Sequence, residues 1–337
     1  MRWALLTDDH PPTAGGVSAF VDRVARELVG RGHQVTIVAR HARDRAPIPG
    51  TRLLRVWGPR FSRHGGRWAA LRAGTALRGA DRVVAVTWPL AVGLPALGIP
   101  YDVVAHGSDV TCPPRDPAAF DRVWAGARRR FALSGFLAGQ LAERGLRAVV
   151  LPAPVPIPVT APAAPDPDRW VLVARATPLK GGDRFVRWVA AAGARGVVVG
   201  DGPALASWRD LARALGADVT FLGERPSAEI PAVWAGAGLL VLAPRAAPDG
   251  SGAEGLGLVA IEAAGAGVPA VGCRTGGVPE AVGPGLVVDD PDDAARCAAQ
   301  IRAWWTPDRG AAAQAWCRAH HGVGRTVDAL AGARAGG

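Results

Sequence analysis

The chain has 337 residues, about twice the usual size of one domain, so two domains are expected, each large enough to bury its own core. Apolar residues make up 49% and charged residues 20%, which is the composition of a globular protein and argues against disorder. The formal net charge is +10, and the first half carries it: residues 1–150 hold 22 arginines against 11 acids, whereas residues 151–337 hold 17 basic and 18 acidic groups. The four cysteines show neither a CxxC spacing nor a His/Cys cluster, so no zinc site or disulfide framework is predicted.

The first half alternates short apolar runs with helical patterns, which is typical of βα units on a parallel sheet. A Gly15-Gly16 turn follows the first run, and an amphipathic stretch over residues 18–30 comes next. The N-terminus lacks the long apolar core of a signal peptide, which predicts a cytoplasmic protein. The predicted strands of this half are residues 3–7, 34–40, 52–57, 83–87, 102–105 and 148–151.

The longest uncharged run covers residues 83–101 and is long enough to raise the question of a membrane span. Three prolines and two glycines interrupt it. We therefore predict a buried strand, a turn and a short helix, and no segment that crosses a bilayer.

The region 52–82 is strongly basic, with eight arginines facing a single acid, Asp81, and with Trp57, Phe61 and Trp68 among them. Such a strip suits an anionic membrane surface, where each arginine near the headgroups adds about 1 kcal/mol. A nucleic-acid surface and a merely solvated basic face are the alternatives. No nucleic-acid motif accompanies the arginines, which leaves two interpretations open: peripheral contact with the inner face of an anionic membrane, and a solvated basic face.

Seven prolines between residues 151 and 168 predict an extended, stiff linker. We expect an N-terminal domain at 1–155, the linker at 156–168 and a C-terminal domain at 169–311; a C-terminal helix at about 312–332 is a candidate to pack back on the first domain. Two similar halves on a stiff linker are expected to face a central cleft, because parallel sheets bind ligands at the carboxyl ends of their strands. The second series of predicted strands is 170–174, 196–199, 218–222, 239–243, 269–272 and 286–288.

A Gly-rich loop at residues 249–257 runs into an apolar helix, with Glu254 and Glu262 separated by seven residues. A helix N-terminus presents free amides and a partial positive charge, which suit a phosphate. Eight residues of helix rise about 12 Å, so the two carboxylates are expected to reach groups on either side of a diphosphate. The alternative is a first-turn helix acid at Glu254 and an exposed acid at Glu262. An unpartnered carboxylate in the apolar stretch around Glu262 would be costly, which favours a function for it.

Lys180 is the only lysine in a chain with 38 arginines. A position that stays lysine while every other such cation is arginine indicates a need for a compact ammonium group. Chance survival of one lysine is the alternative.

With the segment Gly276-Gly-Val-Pro-Glu280, the Gly-rich loop resembles the signature of the GT-B retaining glycosyltransferases of family 4, which include bacterial mannosyltransferases. The resemblance implies an α/β fold of two Rossmann-like domains facing a central cleft. It implies that Glu254 contacts the transferred sugar, that Glu262 contacts the ribose, and that Arg175 and Lys180 bind the diphosphate. Two negative charges leaving without a metal require cations, so neither a metal nor a cofactor is expected.

Other positions match the family less specifically. His106-Gly-Ser-Asp109 resembles the motif whose histidine lies against the transferred sugar, and Asp109 is assigned to the acceptor side; a lone histidine after a strand is otherwise more often structural. Thr87-Trp88-Pro89 and the linker entry at residues 151–154 depart from the family pattern, which concerns acceptor contacts and hinge geometry. The remaining donor-side candidates are Gly15, Gly16, Gly200, Gly255, Leu256, Gly257, Leu258 and Val259, with residues 221–226 at the nucleotide base.

The resemblance implies a retaining hexosyltransferase, with His106, Arg175, Lys180 and Glu254 as the candidate catalytic residues. GDP-mannose and a lipid-linked acceptor are the first expectation, and UDP-sugars with a polysaccharide or natural-product acceptor are the second. A GT-B nucleotide-sugar epimerase and a catalytically silent sugar-binding subunit stay open. A dinucleotide-dependent dehydrogenase would need a G-x-G-x-x-G motif after the first strand, which residues 7–17 lack.

Overall fold

The computed structural model describes residues 1–11, 15–40, 47–56, 63–158 and 164–332, and it describes the side chains of these residues except 63–69. The chain divides into two compact units. The first consists of Met1–Pro154 together with the chain from Val323 onward, and the second is Val155–Gly322.

Within its described residues, the first unit has a seven-stranded parallel sheet in the order β3-β2-β1-β4-β5-β6-β7. Its strands are β1 (Arg2–Thr7), β2 (Gln34–Arg40), β3 (Thr51–Val56), β4 (Arg82–Ala85), β5 (Asp102–Ala105), β6 (Arg129–Ala132) and β7 (Val149–Val150). Its helices up to β7 are α1 (Gly16–Gly30), α2 (Arg63–Arg78), α3 (Ser108–Thr111), α4 (Pro117–Gly126) and α5 (Gly135–Ala142). Strand β1 is buried over five of its six residues, because it lies between β2 and β4 and is covered on both faces.

The second unit repeats this plan with six parallel strands in the order β10-β9-β8-β11-β12-β13 among its described residues. Its strands are β8 (Asp166–Val173), β9 (Arg195–Val199), β10 (Val219–Gly223), β11 (Ala237–Leu242), β12 (Ala270–Cys273) and β13 (Leu286–Val288). Its helices are α6 (Gly182–Ala192), α7 (Leu205–Leu215), α8 (Ile230–Trp234), α9 (Leu258–Gly265), α10 (Val278–Ala281), α11 (Ala294–Trp304) and α12 (Arg309–His320). Large apolar side chains such as Trp170, Phe185 and Trp188 fill its core.

The strand order reverses between β8 and β11 in the second unit, since the chain adds β9 and β10 on one side of β8 and the later strands on the other. In open parallel sheets, ligands bind at the carboxyl ends of the strands on either side of such a reversal. A ligand site is therefore expected at the loops that follow β8 and β11.

The last helix, α13 (Val323–Ala331), belongs to the first unit. The single helix predicted at about 312–332 is two helices, because the chain breaks at Gly322, which has a φ of 116°. Helix α12 packs in the second unit, where Gln314 Nε2 donates a hydrogen bond of 3.0 Å to Gly265 O on α9. In the first unit, Arg82 Nη2 donates to Ala331 O at 3.0 Å, and Arg129 donates to the carbonyls of Ala329 and Leu330. These arginines satisfy carbonyl groups that the end of a helix leaves open.

Three local predictions differ from the structure. Strand β6 was not predicted, because its sequence Arg-Arg-Phe-Ala offers only two buried side chains and no readable period. Strand β8 begins at Asp166, inside the segment predicted as linker. Its pairing with β11 is irregular between Ala237 and Leu239, next to Pro167, which has no N–H to donate to a ladder. The short helix predicted within residues 83–101 is a pair of 3₁₀ turns at Trp88–Ala91 and Pro95–Leu97.

The basic region 52–82 is described in part. Residues 57–62, with Trp57, Arg60 and Phe61, lie outside the described residues, as do the side chains of Arg63, Arg67 and Trp68. The exposed basic side chains that the structure describes there are Arg52, Arg55, Arg72 and Arg78. Within the described part of the chain, no helix is both long enough and apolar enough to cross a membrane.

Candidate active site

Lys180 and Glu254 meet at the carboxyl edge of the second sheet. Lys180 closes the 3₁₀ turn Pro178–Lys180 after β8, and Glu254 lies in the loop between β11 and α9. Lys180 Nζ lies 2.6 Å from Glu254 Oε2, and the two side chains are 35% and 17% exposed. The ion pair is therefore partly shielded from water yet open to a ligand, at the point where the strand order reverses.

The glycines after Lys180 fix this segment against the end of β11. Gly181 has a φ of 69°, and a Cβ added there would lie 1.9 Å from Ala243 O. A Cβ at Gly182 would lie 2.3 Å from the ring of Trp208 on α7. Only glycine fits both positions, so the backbone next to Lys180 has one close-packed arrangement.

Arg175 lies in the same loop, five residues before Lys180, with an exposed side chain. Backbone bonds hold the segment on both sides: Ala174 N donates to Val199 O at 3.0 Å and Ala176 N donates to Asp201 O at 2.9 Å. Gly200 permits this approach, because a Cβ there would lie 1.9 Å from Ala174 O. Gly200 thus lets its own loop pack backbone to backbone against the loop that carries Arg175. The guanidinium of Arg175 makes no hydrogen bond or ion pair with any residue that the structure describes.

Glu254 belongs to a loop and not to the helix that follows. Helix α9 begins at Leu258, after Gly257 with a φ of 94°, and ends at Gly265. The prediction that one helix carries both acids is therefore wrong, because the glycines at 255 and 257 delay the start of the helix. Glu262 is the fifth residue of α9 and is half-buried.

The segment Gly276-Gly277 supports the Glu254 loop. Gly277 N donates to Glu254 O at 2.9 Å. A Cβ at Gly276 would lie 2.1 Å from Glu254 O, and a Cβ at Gly277 would lie 2.4 Å from Gly255 O. These two glycines let two loops meet backbone to backbone, which explains physically why the Gly-Gly signature accompanies the acidic loop. The predicted donor-side residues Gly255, Leu256, Gly257, Leu258 and Val259 lie in this loop and the first turn of α9, with Gly255, Leu256 and Gly257 buried.

Four charged residues beside this site were not predicted. Asp183, Arg184, Arg245 and Asp292 form one ion-pair network that joins the start of α6, the end of β11 and the loop before α11. Only a weak sequence signal points to this network: Asp183 and Arg184 directly follow the Lys-Gly-Gly segment. Partners more than 40 residues apart cannot be paired without the strand order.

The predicted residues of the first unit lie at the carboxyl edge of its own sheet. His106 directly follows β5, and Asp109 Oδ1 accepts hydrogen bonds from the backbone N–H of His106 at 3.1 Å and of Gly107 at 2.7 Å. Asp109 therefore holds the turn on which His106 lies. Gly15, with a φ of 145°, precedes the first helical residue of α1, Gly16, and both glycines are exposed.

The imidazole of His106 is packed edge-on against Phe20, with ring centroids 4.9 Å apart. Its Nε2 atom is buried and has no hydrogen-bond partner among the described residues. Burial lowers the pKa of His106 to about 3. Burial also raises the pKa of Asp109 to about 6, although the N–H groups of Gly107 and His106 act in the opposite direction. The imidazole is therefore neutral at physiological pH, and none of the described residues bonds its Nε2 atom.

This burial predicts a pH dependence of stability. Since the folded pKa of His106 lies below the unfolded value, the unfolded state binds the proton first as pH falls below about 6.5. Relative to His106→Gln, the wild-type first unit should lose about 2 kcal/mol between pH 7 and pH 5. Protection factors of the β5 amides in native-state hydrogen exchange measure the difference. The His106 side-chain resonances, assigned by their loss in His106→Gln, should not titrate between pH 8 and pH 5; a midpoint near 6 would contradict the proposed burial.

Asp8, Asp289 and Asp293, each next to a second aspartate in the sequence, act as a helix cap or as ion-pair partners. Asp293 Oδ1 accepts from Arg296 N at 3.0 Å at the start of α11, Asp289 pairs with Arg274, and Asp8 pairs with Arg40. In the described residues, no group of three or more His, Cys, Asp or Glu side chains is placed to hold a metal ion.

Comparison with known proteins places this geometry in a family. The model described as "Glycosyltransferase Family 4" matches residues 14–158, and the model described as "Glycosyl transferases group 1" matches residues 168–306. The GDP-mannose-dependent alpha-(1-6)-phosphatidylinositol monomannoside mannosyltransferase of Mycobacterium tuberculosis is 31% identical over 331 residues, covering 86% of this chain and 85% of its own length. The enzyme of the same name from Mycolicibacterium smegmatis is 30% identical over 343 residues, with the same coverage.

Solved structures with this fold include Anabaena HepE in complex with UDP-glucose, with a TM-score of 0.76 and 19% identity over 98% of each chain. The glycosyltransferase AviGT4, involved in avilamycin A biosynthesis, has a TM-score of 0.68 and 22% identity over 98% of each chain. These likenesses show the fold, and the family models with the mycobacterial relatives show the family. The chain belongs to the family 4 glycosyltransferases and has their two-domain α/β GT-B fold.

Proposed function

We propose that this glycosyltransferase moves a hexose, with mannose from GDP-mannose as the first candidate, to a hydroxyl group of a lipid-linked acceptor. The observation that carries the proposal is the Lys180–Glu254 pair, 2.6 Å long, at the strand reversal of the second sheet, with the exposed guanidinium of Arg175 in the same loop. The names of the mycobacterial relatives support the choice of donor sugar, nucleotide and acceptor class.

The charges of the site suit a departing nucleoside diphosphate. Lys180 and Arg175 supply two cations, and the N–H groups at the start of α9 supply dipoles of the same sign. When the diphosphate binds Lys180, the carboxylate of Glu254 is released to accept hydrogen bonds from the hydroxyl groups of the sugar. Glu262, half-buried on α9, is the proposed partner of the ribose hydroxyl groups.

We propose that the transfer retains the configuration of the sugar. The bond from the anomeric carbon to the phosphate oxygen breaks, the bond to the acceptor oxygen forms on the same face, and the acceptor proton passes to the departing phosphate oxygen. Neutral His106 contacts the transferred sugar without exchanging a proton, because its pKa lies far below the working range. The proposal includes neither a metal ion nor a cofactor, since the cations of the protein neutralise the leaving group.

The proposed acceptor surface lies on the first unit. Arg52, Arg55, Arg72 and Arg78 are exposed there, and Leu71 is 62% exposed beside Arg72. Exposed arginines with an apolar side chain among them suit peripheral contact with an anionic bilayer. Arg82, in contrast, binds the end of α13 and is not part of such a surface. Vesicles with and without an anionic phospholipid measure this contact, which should weaken as salt is raised.

The test of the donor is a thermal-shift screen with GDP, UDP, ADP and their sugars, followed by product analysis with the best donor. GDP and GDP-mannose are expected to raise the melting temperature most, by the linkage between binding and stability. If only UDP-sugars stabilise the protein, the proposed donor changes from GDP-mannose to a UDP-sugar. If no nucleotide stabilises it, the proposal is overturned.

The chemistry is tested on the product. The one-bond C1–H1 coupling of the transferred sugar in the NMR spectrum of the product should indicate the same anomer as in the donor sugar. An inverted anomer would disprove retention. Turnover should persist after extensive dialysis against EDTA. A loss that a divalent cation restores would disprove independence from metal.

A further inference from the structure

The ion pairs beside the site join four charged side chains into one connected network. Arg245 donates from Nη1 and Nη2 to the two oxygens of Asp183 at 2.6 and 2.8 Å, which is a two-pronged pair. Arg245 Nη2 also reaches Asp292 Oδ1 at 3.2 Å. Arg184 forms a second two-pronged pair with Asp292 at 2.8 and 2.7 Å. We call these four residues the arginine clamp.

The clamp is joined to the backbone directly after β11. Arg184 is buried, and its Nη1 donates a hydrogen bond of 2.9 Å to Pro244 O, the residue directly before Arg245. The guanidinium groups of Arg184 and Arg245 hold the pKa of Asp292 below its usual value, with the hydrogen bond from Arg184 as the largest cause. The end of β11 and the start of α6 are thus tied by both side chains and main chain.

Arg245 contacts the chain on both sides of Lys180. Its backbone N–H donates to Leu179 O at 2.7 Å, one residue before Lys180. Its guanidinium holds Asp183, three residues after Lys180. In between, Gly181 lies in contact with Ala243 O, where no side chain fits. One residue therefore fixes the segment that carries the ammonium group at two points.

We propose that Arg245 is a positioning residue for Lys180: its guanidinium, by holding Asp183 beside the main-chain bond to Leu179 O, sets where the ammonium group meets the donor diphosphate. The inference rests on the proposed function, since it needs a diphosphate at Lys180. Arg245 and Asp183 are about one-third exposed, and ion pairs with that exposure contribute little to folding. Their two-pronged geometry is better explained by placement, because a displacement of about 1 Å can lower a rate about 100-fold.

A double-mutant cycle between Arg245 and Lys180 tests the proposal. In the wild-type background, Arg245→Met should lower kcat with GDP-mannose about 100-fold and change KM by less, because a misplaced cation stabilises the leaving group poorly. In a Lys180→Met background, the same substitution should lower kcat less than about threefold, since no ammonium group is left to place. Equal factors in both backgrounds would overturn the inference.

Matched variants separate placement from folding. Arg213→Met removes an exposed pair with Asp210 on α7 and should leave kcat unchanged. Arg245→Lys keeps the charge but loses the two-pronged pair, and about tenfold loss is expected. If Arg245→Met does not fold, as judged by circular dichroism, Asp183→Asn is measured in the same cycle; equal factors there contradict the proposal in the same way.

The affinity for GDP without acceptor distinguishes the two proposals. Wild-type protein that binds no nucleotide disproves the proposed function and this inference together. Wild-type protein that binds GDP, with Arg245 and Lys180 acting independently in the cycle, disproves the positioning role alone. The positioning role is supported when GDP binds and the two substitutions are coupled.

Discussion

Replacing Lys180 by methionine is expected to lower kcat about 1,000-fold, the effect of removing one preorganised group that stabilises developing negative charge. The ammonium group lies 2.6 Å from Glu254 and is the compact cation at the strand reversal. Its loss deprives the diphosphate of a counter-charge and leaves the 17%-exposed carboxylate of Glu254 without this partner. Steady-state kinetics with the donor identified by thermal shift measure the loss.

The charge-conserving variant asks whether the lysine itself matters. Lys180→Arg should lower kcat at least tenfold, because a planar guanidinium on a longer side chain does not take the place of the compact ammonium group 2.6 Å from Glu254, and the close-packed backbone at Gly181 and Gly182 limits any shift of the segment. Arg187→Lys, an exchange at an exposed site on α6, is the matched control and should be silent. Unchanged kinetics in Lys180→Arg would mean that the single lysine of the chain survives by chance.

The second large effect concerns stability. Asp102→Ala should lower the free energy of unfolding of the first unit by about 3 kcal/mol, toward the lower end for breaking a buried pair, since its partners keep contact with water. Asp102 is fully buried at the start of β5 and receives bonds from Arg128 and Arg129. Burial and the charges of these two arginines lower the pKa of Arg82, so the cluster holds more positive charge than Asp102 neutralises.

Helix α13 should respond to the same change. Arg129 joins Asp102 to the carbonyls of Ala329 and Leu330, so loss of the carboxylate frees the guanidinium that holds the end of the helix. Hydrogen exchange should show lower protection in β5, β6 and α13, with β9 and β11 of the second unit unchanged. Asp22→Ala removes an exposed i,i+4 pair on α1 and should cost no more than about 0.5 kcal/mol. Uniform loss of protection in both units would contradict the assignment.

Local pattern was enough for most of the architecture. The alternation of apolar runs and amphipathic stretches predicts the βα units, and strand bounds such as Gln34–Arg40, Asp102–Ala105 and Leu286–Val288 agree with the structure. Strand β6 was not predicted, because its two buried residues are too few to show the alternation typical of a strand. The start of α9 was placed too early, because the tolerance of glycine for positive φ lets a loop run on where apolar spacing suggests helix.

The sequence by itself determined the candidate residues of the site: a lysine with no other lysine in the chain, an acid in a Gly-rich loop, and an arginine five residues before the lysine. Tertiary structure decided that Lys180 and Glu254, 74 residues apart, are ion-pair partners. It also decided that Arg245 contacts both sides of Lys180, and that Arg82 and Arg129 bind the end of α13. The physical reason is that residue spacing reports which face of an element is buried, whereas contacts between distant loops depend on strand order, and no local period encodes that order.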